Sequence, residues 1–260
     1  MKQRILTTLI TLAIFVPIIL TGNWIMKAVL TIVAIIALME LLYMKKIPVI
    51  SLPSLLSAVG LVTMILSEVD IQNQLNFLTE RVLIFIALSL LIYTVFSENK
   101  FSFEDAAICL FGTIYIGAGF RSFILIRHSG IHLLLLILFV VWSTDTFAYL
   151  IGRKIGKTKL APAISPNKTI EGSVGGTVSA MIVSAIYLSF ISFQHSFLYM
   201  MVMMFILSIT GQLGDLVESA LKRYYGVKDS GKILPGHGGF LDRFDSLLFA
   251  MTFAVLLNLV

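Results

Sequence analysis

The residues best suited to chemistry lie close together, between Gly211 and Ser246. This stretch is polar and densely charged, although strongly apolar segments precede and follow it. Its five acids and five bases are Asp215, Glu218, Asp229, Asp242 and Asp245, and Lys222, Arg223, Lys228, Lys232 and Arg243. Charges at membrane depth cost several kcal/mol unless they are paired, hydrated or bound to a metal. We therefore interpret the stretch as a functional site.

Two pairs of acids have the spacing of one helix face. Asp215 and Glu218 are three residues apart, and so are Asp242 and Asp245. Each pair therefore shares one side of its helix if both segments are helical. Two such pairs on neighbouring helices can converge on a hard cation, and oxygen ligands suit Mg²⁺. The sequence has a single cysteine, so it lacks the Cys cluster of a structural zinc site.

The segment between the two acid pairs combines glycines with a histidine. Gly236, Gly238 and Gly239 surround His237, and glycine allows a backbone to approach a ligand closely. Four bases of the same stretch can neutralise a polyphosphate: Lys222, Arg223, Lys228 and Lys232. His237 fits three roles, namely acid–base group, phosphate ligand and hydrogen-bonding group of the turn. These parts together fit metal-assisted phosphoryl or nucleotidyl transfer.

Two earlier segments add candidates. Asp145 lies in an apolar run, where an acid is by default functional, although a structural Asp that pairs with a neighbouring helix is an alternative. After two helix-stopping prolines, the second segment places polar groups before a glycine-containing helix start. These groups are Ser165, Asn167, Lys168, Thr169 and Glu171. They suit an ordinary polar loop before a capped helix, with an anion site at a helix N-terminus as the alternative, and the Walker spacing is absent.

Membrane helices must position these candidates. The chain has 260 residues, of which 58% are hydrophobic and 13% charged, whereas a soluble chain has about a quarter of its residues charged. The long apolar runs predict an all-α polytopic membrane protein with about nine transmembrane helices. The predicted spans are approximately 5–20, 24–43, 52–67, 82–97, 106–125, 131–151, 173–193, 197–217 and 244–260.

The distribution of Lys and Arg orients these spans. Basic residues concentrate in alternate loops, which predicts a cytoplasmic N-terminus and places both large polar loops, 152–172 and 221–243, in the cytoplasm. The net charge of +5 has the same origin and does not indicate nucleic-acid binding. Residues 1–130 are predicted to be a scaffold and residues 131–260 a catalytic membrane region. In the scaffold, Glu40 is interpreted as a residue near the interface whose side chain reaches water, with a cavity as the alternative.

The motifs resemble those of a known family. The segments Ser219–Arg223, Lys228–Gly231 and Leu234–Asp245 resemble, without a gap, the signature of phosphatidate cytidylyltransferases, or CDP-diacylglycerol synthases. The surroundings of Asp145 and the segment Ser165–Gly172 look like those of the family as well. The resemblance covers about residues 140–250, and the front half is similar only in being apolar.

The resemblance implies an activity and a setting. CTP and phosphatidate would give CDP-diacylglycerol and pyrophosphate, by attack of the lipid phosphate on the α-phosphorus of CTP with Mg²⁺ required. Whether a monovalent cation joins Mg²⁺ is open. The family resemblance also implies a homodimer in the cell membrane, with its active site facing the cytoplasm.

The resemblance also implies roles for individual residues. The implied metal ligands are Asp215, Asp242 and Asp245. The residues implied to line the substrate phosphates are Lys222, Arg223, Lys228, Asp229 and His237. Those implied to contact CTP or to order its loop are Ser165, Asn167, Lys168 and Glu171. Asp145 would support the site from within the membrane.

Other classes of membrane protein have some of the same features. A CTP-dependent lipid kinase is the nearest alternative enzyme, and it would release CDP in place of pyrophosphate. The D-G-x-x-A-R pattern of CDP-alcohol phosphotransferases is absent from the sequence. An ion-coupled transporter would explain intramembrane acids, but it predicts broken helices at mid-membrane and repeated halves. The sequence shows no repeat, and its charges gather at the predicted cytoplasmic edge.

Overall fold

The computed structural model describes residue 13 and residues 15–67, 75–233, 236 and 238–260, and it is largely helical. The helices are α1 (Trp24–Met44), α2 (Leu52–Leu66), α3 (Leu75–Phe96), α4 (Phe103–Ser129), α5 (Ile131–Ile155), α6 (Ile170–Phe190), α7 (Phe197–Tyr224) and α8 (Leu241–Leu256). Residues 15–21 are helical as well. A two-stranded antiparallel sheet, β1 (Lys159–Ala161) and β2 (Ser165–Thr169), connects α5 to α6.

The long apolar runs form long helices, as the sequence predicts. Among the described residues, six helices have the length and composition to cross a membrane, namely α1, α3 from Leu78 onwards, α4, α5, α6 and α7. They match the predicted spans 24–43, 82–97, 106–125, 131–151, 173–193 and 197–217, so the largely helical, polytopic membrane protein is confirmed. The sequence analysis did not predict the small sheet.

Three predicted spans have a different outcome. The span 52–67 corresponds to α2, an apolar helix of 15 residues, which is short for a crossing. The span 244–260 corresponds largely to α8, a helix of 16 residues whose first turns carry Asp242, Arg243 and Asp245. The span 5–20 lies mostly outside the described residues. The count of about nine spans and the orientation of the N-terminus therefore stay predictions.

The chain divides into two compact units. The first contains residues up to Arg121 together with the segment Asp229–Asp242, and the second contains Ser122–Lys228 and Arg243–Val260. Helix α1 is extensively buried in the first unit, where Met26, Leu30, Ala34, Ala37 and Leu38 are inaccessible to solvent. The predicted regions 1–130 and 131–260 concern function and stay predictions.

Small residues bring α5 and α6 together in the second unit. A Cβ atom added at Gly172 would lie 2.6 Å from the carbonyl oxygen of Ala148, and one at Gly176 would lie 2.6 Å from that of Thr144. The two backbones therefore touch, as is common between membrane helices with small residues at the interface. Thr169 caps α6, because its side chain accepts a hydrogen bond from the Gly172 amide at 3.1 Å. This packing fixes the ends of the helices between which the sheet is held.

Replacing Gly176 by valine should separate α5 from α6, because the new side chain overlaps backbone atoms that have no rotamer to change. We expect a loss of stability of about 1–3 kcal/mol, measured as a lower melting temperature of the detergent-purified protein. Val178→Leu, on the exposed side of the same helix, is the matched control. A Gly176→Val protein that melts with the wild type would contradict this account of the packing.

Candidate active site

A cavity of about 560 Å³ lies in the second unit, between α5, the sheet, α6 and α7. Its volume is within the range of about 300–1,000 Å³ that is usual for small-molecule sites. Its charged and amide-bearing lining residues are Asp145, Arg153, Lys159, Asn167, Lys168, Gln212 and Asp215. The predicted residues Asp145, Asn167, Lys168 and Asp215 thus lie around one cavity, although they come from three different elements.

An ion pair joins two of these residues. The ammonium nitrogen of Lys168, on β2, lies 2.6 Å from Oδ2 of Asp215, on α7. The two side chains are 27% and 31% exposed, so both remain accessible from the cavity. An ammonium group can bind a phosphate and a carboxylate can bind a metal cation. The pair therefore places both kinds of group next to each other in the cavity.

Two further acids interact with Asp215. Asp145 on α5 and Asp245 on α8 lie close enough to Asp215, and to each other, for electrostatic repulsion. Three carboxylates from three helices of the second unit thus favour the presence of a cation. Lys168 supplies one positive charge beside them.

The donor chemistry of these acids suits Mg²⁺. This ion usually takes one or two protein carboxylates and completes its shell with water and substrate phosphates. Asp215 and Asp245 fit that requirement. Within the described ranges, no three His, Cys, Asp or Glu side chains are arranged to hold a metal by themselves.

Close packing of α7 against α8 brings Asp215 and Asp245 together. A Cβ atom added at Gly214 would lie 2.6 Å from the carbonyl oxygen of Asp245 and 2.8 Å from Cβ of Phe249. Only a glycine at this position lets the helices approach so closely. The residue that follows it is Asp215, so the contact sets the separation of the two acids.

A chain of hydrogen bonds joins the three helices beside the cavity. The hydroxyl oxygens of Thr144 on α5 and Ser208 on α7 are 2.8 Å apart, and Ser208 donates to Thr177 on α6 at 3.2 Å. Gln212 donates to the same Thr177 hydroxyl oxygen at 3.0 Å and lines the cavity. The sequence analysis missed Gln212. Its position three residues before Asp215, on the same helix face, was the available signal.

The segment that leads into the sheet is fixed by Glu171. Its carboxylate oxygens accept hydrogen bonds from the backbone amides of Lys157 and Thr158, each at 3.0 Å. This contact orders the connection from α5 to β1. Ser165, at the start of β2, pairs with Ala161 across the sheet.

Other predicted phosphate-binding residues contact protein groups. Lys222 forms an ion pair with the buried Glu218, one turn earlier on α7. Arg223 donates from Nε to the carbonyl oxygen of Ile164 at 3.3 Å, and so holds the turn of the sheet. Lys228 is exposed. The lining of the cavity includes two further cations, Arg153 and Lys159.

The segment Asp229–Asp242 of the first unit is organised around Asp242. Oδ2 of this buried side chain accepts hydrogen bonds from the amides of Ser230 and Gly239 at 2.9 and 2.8 Å, and the Ser230 hydroxyl lies 2.9 Å away. Gly238 has φ of +83°, and a Cβ atom there would lie 2.5 Å from Oδ2 of Asp242. Asp229 is exposed beside Gly238. His237 lies outside the described residues, and its role stays a prediction.

The three predicted metal ligands belong to different units. Asp242 is part of the first unit, whereas Asp215 and Asp245 are part of the second. The metal-binding role of all three stays a prediction.

The interpretation of Glu40 as a residue that reaches water is wrong. Its side chain is buried, with only 5% of the residue exposed, and it accepts hydrogen bonds from the segment Asp229–Asp242 of the same unit. No local pattern in the sequence indicates this contact, because its partners are about 200 residues further along the chain.

Comparison with known proteins extends the resemblance to the whole chain. The model of the cytidylyltransferase family matches residues 2–260. A phosphatidate cytidylyltransferase of Staphylococcus saprophyticus is 47% identical over 251 residues, which are 96% of each chain. Those of Staphylococcus haemolyticus and Staphylococcus aureus are 48% identical with the same coverage. This similarity includes the front half of the chain, which contains none of the family motifs found in the sequence. The chain therefore belongs to the cytidylyltransferase family.

Proposed function

We propose that the protein transfers the cytidylyl group of CTP to phosphatidate, giving CDP-diacylglycerol and pyrophosphate. The observation that carries this proposal is the Lys168–Asp215 pair in a cavity large enough for a small-molecule ligand. Three relatives at 47–48% identity are named phosphatidate cytidylyltransferase, which supports the same reaction.

The cations of the cavity would hold the nucleotide. Lys168, Arg153 and Lys159 would neutralise the triphosphate, and the amide of Asn167 would offer a neutral hydrogen bond beside them. Lys168 would exchange Asp215 for a phosphate oxygen on binding. Because both side chains remain accessible from the cavity, a phosphate oxygen and a cation can replace the two members of the pair as it opens.

The transfer needs orientation more than proton transfer. A phosphate oxygen of the lipid is already anionic, so it attacks the α-phosphorus of CTP without a strong general base. The new P–O bond forms as the bond from the α-phosphorus to the bridging oxygen breaks, and pyrophosphate leaves with that electron pair. Holding the two anions in line against their mutual repulsion is the main task of the cationic lining.

Asp215 and Asp245 are the proposed Mg²⁺ ligands from the second unit, and Asp242 is the proposed ligand from the first. The ion would offset the negative charge of the phosphates while the bonds change. A monovalent cation is a further candidate. The proposed phosphate contacts also include Lys222, Arg223, Lys228, Asp229 and His237. Ser165 and Glu171 are proposed to order the loop that holds CTP, and Asp145 to support the acids.

The proposed setting is a bacterial cell membrane. The apolar runs support about nine spans, and the basic loops support a cytoplasmic N-terminus and an active site on the cytoplasmic side, where CTP is found. Phosphatidate would reach the site from the leaflet. The likeness to a family that works as dimers supports a homodimer.

The reaction can be tested by product analysis of the detergent-purified protein. With phosphatidate, Mg²⁺ and each nucleoside triphosphate in turn, we expect pyrophosphate and CDP-diacylglycerol only with CTP. EDTA should abolish both products. Release of CDP with a lipid alcohol as acceptor would instead identify a lipid kinase and overturn the proposal.

The role of the ion pair can be tested with Lys168→Met, Asp215→Asn and the double variant. If each side chain binds a different part of the reacting complex, each single change lowers turnover by about 10²–10³-fold and the double variant recovers nothing. Lys154→Met, at an exposed position near the end of α5, is the matched control for charge removal. A double variant more active than either single variant would show that Lys168 and Asp215 serve only to neutralise each other's charge.

A further inference from the structure

Glu40 is an acid within an apolar helix that hydrogen-bonds to distant backbone groups. Its Oε1 accepts from the amide of Phe240 at 3.0 Å, and its Oε2 accepts from the amide of Leu241 at 2.9 Å. The hydroxyl of Ser230 lies 3.1 Å from Oε2. Burying a carboxylate is costly unless donors replace its water, and these groups provide them.

The first turn of α8 supplies part of this compensation. Leu241 is the first residue of α8, so its amide is one of the helix N-terminal donors that have no partner within the helix. A negative charge at this end of a helix is favourable. Within the first unit, Glu40 therefore supplies the acceptor that the Leu241 amide lacks in its own helix.

The segment is shaped to admit this carboxylate. A Cβ atom added at Gly231 or at Gly239 would collide with the carboxylate oxygens of Glu40. The backbone thus approaches Glu40 on two sides as closely as glycine permits. Such a fit holds Gly231 and Gly239 in one position relative to α1.

Ser230 links Glu40 to a predicted catalytic acid. Its hydroxyl lies 3.1 Å from Oε2 of Glu40 and 2.9 Å from Oδ2 of Asp242. A neutral hydroxyl has one hydrogen, so it donates to one of these carboxyl groups at a time. Asp242 and Glu40 therefore organise the same segment, one from its own side chain and the other from α1.

We propose that Glu40 is a positioning residue for the reaction, which holds Ser230, Phe240 and Leu241 so that Asp242 is presented in a fixed orientation. This inference rests on the proposed function, in which Asp242 belongs to the catalytic machinery. Because Glu40 lies outside the cavity that would hold CTP, its loss lowers turnover and leaves nucleotide affinity unchanged. A misplaced reacting group commonly costs about 10²-fold in rate.

The test uses Glu40→Gln in the full-length, detergent-purified protein. Glutamine keeps the size of the side chain but replaces one acceptor oxygen with an NH₂ group, which cannot accept from a backbone amide. We expect kcat to fall about 10²-fold, the KM for CTP to stay within about threefold, and hydrogen exchange to accelerate in peptides covering 229–242. Glu98→Gln, the same chemical change at an exposed position, should leave all three unchanged.

Two results would overturn the proposal. One is wild-type turnover and exchange in Glu40→Gln. The other is faster exchange throughout the helices with kcat and KM both altered, which would make Glu40 a general stabilising residue. If Glu40→Gln does not fold, Ser230→Ala tests the same link. We expect slower turnover and locally faster hydrogen exchange in this variant, and wild-type values of both would contradict the proposal.

The two proposals fail in different ways. If the wild-type protein forms no CDP-diacylglycerol, the proposed function is wrong and Glu40 has no such reaction to position. If the wild type is active and Glu40→Gln equals it, only the positioning role is wrong.

Discussion

A carboxylate within an apolar helix must find hydrogen-bond donors or cations, and this requirement is met differently in each unit of the protein. In the first unit, Glu40 is satisfied by backbone amides of the segment Asp229–Asp242. In the second, Asp215 is paired with Lys168, and Glu218 with Lys222. Because an unsatisfied buried charge costs several kcal/mol, these contacts fix the polar segments against the helices.

The need of these carboxylates for donors or cations is met by two kinds of contact, one that stays in place and one that ligands can replace. Glu40 is buried, and its partners are the backbone amides of Phe240 and Leu241 and the Ser230 hydroxyl. The Lys168–Asp215 pair is partly exposed to the cavity, so ligands of opposite charge can replace each member. Rigid surroundings keep the two side chains in place while their ligands are exchanged. This rigidity comes from the backbone contacts of α5 with α6 and from the hydrogen bonds of Thr177. This arrangement supports the proposed site for a polyphosphate and a cation.

Local patterns in the sequence predicted what depends on local physics. The helices follow from apolar runs of sufficient length, and Asp145 and Asp215 were recognised because charges are costly beside such runs. Lys168 was recognised among the polar groups that precede a helix start. The partners of Glu40 and Arg223 were not recognised, since each contact depends on folding that brings separate segments together. The two prolines near Lys159 argued against a helix in this segment. The pairing of Lys159 with Thr169 in a sheet could not be predicted, because strands this short carry no recognisable sequence pattern. The alignment of Asp242 with Ser230 likewise depends on the fold of the glycine-rich segment.

The central claim is that the cavity of the second unit binds the triphosphate of CTP through Lys168. The most direct measurement is an experimental structure of the protein with Mg²⁺ and a CTP analogue whose α,β-bridging oxygen is replaced by a methylene group. The account predicts phosphate oxygens within hydrogen-bonding distance of the Lys168 ammonium group, with the Lys168–Asp215 pair opened and a cation beside Asp215. A nucleotide bound elsewhere, with that pair intact, would contradict it.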